Sequence, residues 1–124
     1  MSPLVPRAVV LTLALLPYAW LGLSDTAFHV RRRPVAWPER LAHAALFVAL
    51  LTVIPQAYLG RRAPVVIGLV LFAAARGVDE FYFHRRLPAE ESALHARTHL
   101  AFLAFVVAVM GVDWLEGSRS GIEK

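Results

Sequence analysis

Four long apolar runs, separated by short polar segments, dominate this 124-residue chain. With their helical extensions they cover about 8–24, 40–59, 63–84 and 89–115. A helix that crosses a bilayer needs roughly 20 residues, with about 17 at the short end. In lipid a segment must satisfy its own backbone hydrogen bonds, so each run is expected to be a helix. The expected fold class is all-α, an integral membrane four-helix bundle forming a single transmembrane domain. Composition agrees, with 58% hydrophobic residues and a mean hydropathy of +0.57. Pro17 and Pro55 fall inside the first and second runs, where proline kinks or ends a helix. Pro38 and Pro88 suit first helical turns, where a missing N–H costs little. The first run has some features of a signal peptide, but no A-x-A site precedes Asp25, and it is read as a retained span.

The absence of cysteine excludes disulfides, thiolate metal sites and cysteine-ligated iron–sulfur clusters. The net charge of +4 and a pI near 10.3 do not point to nucleic acid. The arginines sit in short clusters beside apolar runs, as Arg31–Arg33, Arg61–Arg62 and Arg85–Arg86, which suits lipid headgroups. With Arg40, the side holding the first and third clusters outweighs the side of Arg7, Arg61, Arg62 and Arg119. The positive-inside rule then places that side in the cytoplasm and both termini outside, in a bacterial inner (plasma) membrane.

Every histidine lies four residues after a carboxylate or another histidine. The pairs are Asp25/His29, Glu39/His43, Glu80/His84 and Glu91/His95, and His99 follows His95 at the same interval. On a helix a step of four returns to nearly the same face, about 6 Å further along. Each pair is therefore expected to aim a carboxylate oxygen and an imidazole nitrogen at one point. Even crossings place all of these residues at the same end of the bundle.

The two halves also read alike. Residues 24–47 and 79–102 both run acid-x3-His, arginines, proline, Glu-x3-His and an apolar helix. The spacing from His29 to Glu39 is ten positions, and that from His84 to Glu91 is seven. A duplicated helix hairpin with pseudo-two-fold symmetry accounts for this, with the two hairpins related about the membrane normal.

Each residue also has a plainer role. Glu39, Glu90 and Glu91 in first turns complement helix dipoles, and the arginines act as topology anchors. Asp25 and Glu80 sit near helix C-termini, where an acid opposes the dipole. His43, His95 and His99 lie in or beside apolar helix, where ionisable groups are costly and usually functional. His95 centres the densest stripe, Glu91-x3-His95-x3-His99, whereas His29 belongs to the looser first linker. Arg76, inside the third run, is expected to pair with a site carboxylate.

Mixed carboxylate and imidazole donors suit iron, with zinc or manganese as alternatives. So many donors fit two metal ions sharing bridging carboxylates. The expected function is a metal-dependent oxidoreductase acting on a lipid-soluble substrate such as a quinone, isoprenoid or acyl chain. A zinc hydrolase using His43, His95 and His99, a haem protein with histidine axial ligands, and a non-enzymatic subunit of a larger membrane complex are the alternatives. The last of these, or a homo-oligomer, would add protein partners.

The polar segments resemble those of small bacterial four-span membrane proteins carrying Asp-x3-His, Glu-x3-His and a later proline, glutamate and histidine cluster. The matching residues are Asp25, His29, Glu39, His43, Pro88, Glu90 or Glu91, His95 and His99. That resemblance implies a four-span fold and no particular activity. Pro88-Ala89-Glu90-Glu91 is similar to the Pro-x-Glu-Glu motif of membrane lycopene cyclases, which does not account for the histidines.

Overall fold

The computed structural model describes residues 6–32, 34–83 and 85–120, and among them the only regular elements are four helices. These are α1 (Arg7–Arg32), α2 (Trp37–Tyr58), α3 (Arg62–Tyr82) and α4 (Ala89–Ser120). The all-α expectation holds. By length and composition, α1, α2 and α4 are apolar enough to cross a membrane. α3 is not among them, because its apolar stretch is broken at Arg76 and ends on Asp79 and Glu80.

Local chemistry sets the helix ends. Ala36 is extended, Pro38 occupies the first turn of α2, and Glu39 follows it. Pro88 immediately precedes α4, which places Glu90 and Glu91 in that helix's first turn. Pro17 and Pro55 lie inside α1 and α2, and neither ends its helix. Each deletes one backbone hydrogen bond, and the turns on either side carry the helix through.

α2 closes on Gly60, at φ 68°. The Gly60 N–H donates to the Ala57 carbonyl and the Arg61 N–H to that of Gln56, both at close to 3 Å (3.2 and 3.0 Å). This is the Schellman pattern, which needs a left-handed residue just past the helix and so favours glycine.

The chain divides into two compact units. The first comprises Met1–Thr26 and Ser92–Lys124. In it α1 and α4 run antiparallel. Arg7 bonds Asp113, Tyr18 stacks at 5.0 Å on Phe102, and Asp25 bonds His95. Leu11, Phe105 and Val109 are buried between these contacts. At one end the Arg7 guanidinium donates to both Asp113 and Glu116 at 2.6 Å.

The second unit is Ala27–Glu91. It contains the antiparallel α2/α3 hairpin, the last turn of α1 and the first turn of α4. Ala49, Val53, Ala57, Val65 and Gly68 form its apolar seam. A Cβ on Gly68 would stand 2.5 Å from Val53 Cγ2, so the absence of a side chain permits this approach. Small residues at such a seam are how helices pack where lipid supplies no hydrophobic drive.

Burial is inverted relative to a water-soluble domain. Trp20, Trp37 and Trp114 are 73, 69 and 70% exposed, as are many leucines and valines to a similar degree, while Asp79, Glu39 and Glu91 are buried. The hydroxyls of Ser24, Thr26, Thr52, Thr98 and Ser118 each donate to the carbonyl four residues earlier. That leaves no hydroxyl donor of these five facing an apolar surround.

Candidate metal centre

The second unit gathers donors from the ends of all four helices. His29 comes from the last turn of α1, Glu39 and His43 from the start of α2, Asp79 from the last turn of α3 and Glu91 from the first turn of α4. One ligand atom each from His29, Glu39 and His43 lie within 4.8 Å of one another. The two imidazole rings meet edge to face, with centroids 5.8 Å apart. Glu39 and His43 share a face through their four-residue spacing. His29 reaches them because the linker after α1 returns the chain directly into α2.

Carboxylates flank both histidines. Glu91 Oε1 lies 3.0 Å from His29 Nε2. Asp79 Oδ1 lies 3.4 Å from His43 Nε2, and its other oxygen accepts from Arg76 at 3.0 Å. Asp79 has no exposed surface. With neutral imidazoles, the three carboxylates against one guanidinium leave two formal negative charges. A divalent cation balances that excess. The side chains of His29 and Glu91 are 7 and 3% exposed and that of His43 is 36% exposed, so access to the cluster lies on the His43 side.

In the first unit Asp25 Oδ2 lies 3.0 Å from His95 Nδ1. The His95 and His99 rings are 4.7 Å apart by centroid. His95 is buried and His99 partly so.

These contacts add to the sequence reading. Besides their four-residue spacing, the residues of the Asp25/His29 and Glu91/His95 pairs meet across helices. Asp25 meets His95, and His29 meets Glu91. The buried acid at the end of α3 is Asp79, whereas Glu80 is exposed. Arg76 pairs with a carboxylate as expected, and that carboxylate is Asp79. His29 is no loose linker residue, being 5% exposed beside 4% for His95. His84 lies outside the described residues.

Asp79 was missed because the four-residue rule selected Glu80. A stripe through Val65 and Gly68, the other buried residues of α3, does select it. Fourteen and eleven residues on, Asp79 returns to within about a turn's quarter of both, while Glu80 is rotated a further 100° or so.

No protein family, curated protein or solved structure matches the chain.

Proposed function

We propose that this chain is a multi-pass membrane metalloprotein whose His29, Glu39 and His43 bind a transition-metal ion. The observation that carries the reading is the approach of three ligand atoms, two imidazole and one carboxylate, to within 4.8 Å of one another. Two histidines and one carboxylate with open positions are the donor set of non-haem iron oxygenases, so iron is the assigned metal, with manganese or zinc next. Glu91 stands beside His29 as a further ligand or an outer partner, and Asp79 orients His43. The first unit offers the same donor types in Asp25, His95 and His99, to which we assign a second ion.

The reaction class we assign is oxidoreduction of a lipid-soluble substrate in a bacterial inner membrane, with the centre toward the cytoplasmic face. The exposed apolar helix surfaces support lipid contact, and the arginine distribution supports the orientation. The iron would supply redox chemistry. The protein contributes buried carboxylates that would neutralise it and imidazoles that stand beside acids.

Metal analysis of the purified protein, paired with an optical spectrum, tests this. Bound iron without a Soret band supports the proposal. Zinc alone would move the reading to a hydrolase, a Soret band to haem binding, and protein that takes up no metal would sink it.

A further inference from the structure

A cleft of about 450 Å³ opens beside the cluster, within the second unit. Val30, Pro34, Val35, Arg40 and His43 line it. Its volume is in the range of small-molecule sites, roughly 300–1,000 Å³. Three walls are apolar, and Val30 and Pro34 are exposed. Two polar groups face it with distinct roles. His43 is the most accessible member of the ligand trio. Arg40 lies one turn earlier on α2, and its Nε donates to the Val35 carbonyl at 2.9 Å. That bond ties the guanidinium to the linker backbone through Nε and leaves its two terminal nitrogens for another acceptor. Among the described residues Arg40 has no acidic partner, unlike Arg7 and Arg76, which are held by carboxylates.

A fixed guanidinium beside an apolar wall recognises an anion with a hydrocarbon tail. The linker joins two apolar helices, so the cleft opens where a membrane presents its headgroups. One guanidinium beside one short apolar wall offers a place for a single carboxylate and a single chain.

We infer that this cleft binds a free long-chain carboxylate, with its headgroup on Arg40 and its first methylenes along Val30, Pro34 and Val35, beside His43. The inference rests on the metal reading only in naming the substrate class of that centre. Binding itself needs Arg40 and the apolar wall, not the ion.

The test is equilibrium binding of radiolabelled palmitate to the protein in zwitterionic nanodiscs, with empty discs as background. Hexadecanol, acetate and an anionic diacyl phospholipid serve as competitors, and metal content is measured on the same samples. Palmitate should bind, and only unlabelled long-chain carboxylate should displace it well. Arg40→Gln and Val35→Asp should each weaken binding about tenfold or more, the scale of a lost charge-assisted contact, while leaving metal content unchanged. Arg61→Gln, in the α2–α3 turn, should match the wild type. Palmitate bound equally by Arg40→Gln and wild type, or displaced equally by hexadecanol or by the phospholipid, would overturn the inference. Palmitate binding that depends on Arg40 in protein that takes up no metal would uphold the cleft and refute the metal centre. Metal uptake without palmitate binding would do the reverse.

Discussion

His29 Nε2 and Glu91 Oε1 lie 3.0 Å apart, joining the last turn of α1 to the first turn of α4. Both side chains are almost fully buried, so neither can exchange its partner for water. An acid and an imidazole in this setting either share a proton or share a cation. The nearby Glu39 and His43 bring the donor number to that of a metal site.

The first prediction separates those possibilities. His29→Ala and Glu39→Gln should each remove metal from the second unit, lowering its affinity by more than the roughly 10–100-fold of an outer-partner change. Competition with a calibrated chelator reads this directly. Unchanged affinity in both variants would leave the cluster as a set of buried ion pairs. His95→Ala should lower total metal by a comparable amount, through the first unit.

Asp79 is predicted to act through His43 and Arg76. Asp79→Asn keeps the shape and should cost about 10–100-fold in metal affinity, the scale for outer-shell partners of a ligating histidine. Asp79→Leu also strands the Arg76 charge and should unfold the hairpin more readily, by about 3–5 kcal/mol. Adding Arg76→Met to Asp79→Leu should restore much of that stability without restoring the metal. Glu80→Gln, one position along, should leave thermal stability within about 0.5 kcal/mol of wild type, as for most exposed substitutions.

Gly68 is predicted to be intolerant of any side chain. Gly68→Ala puts a methyl 2.5 Å from Val53 Cγ2 and should destabilise the α2/α3 hairpin by about 1–3 kcal/mol, as overpacking does. Val53→Ala in the same protein should recover most of the loss. Gly111→Ala meets nothing within 4 Å and should be neutral or stabilising by up to about 1 kcal/mol. Thermal unfolding in one detergent ranks the three variants, and equal melting of Gly68→Ala and wild type would refute the close approach.

Arg7 is predicted to lock the pairing of α1 with α4. Its guanidinium holds Asp113 and Glu116 at 2.6 Å, and its side chain is 13% exposed. Arg7→Gln should lower stability by about 1.5–3 kcal/mol, the range for hydrogen bonds to charged groups. Metal content should not change. A double-mutant cycle with Asp113→Asn should return a coupling of at least about 0.5 kcal/mol, and additivity would argue against the contact.

Much of the fold was legible along the chain because helix formation in an apolar setting is a local matter. The backbone must bond to itself within a few residues, so the apolar runs and the prolines at Pro38 and Pro88 marked the helices and two of their starts. The donor residues were legible for a similar reason, since isolated histidines and acids beside apolar helix are costly. Their partners were not. A four-residue interval places Asp25 and His29 on one face, but it does not say whether that face closes on itself or on another helix. Register between helices supplies the partners on other helices, bringing Asp25 to His95 and His29 to Glu91. Rotation about the helix axis decided between Asp79 and Glu80, because neighbours in sequence point about 100° apart. Only the packing of α3 on α2 through Gly68 and Val53 turns Asp79 inward onto His43, while Arg76 meets it within α3.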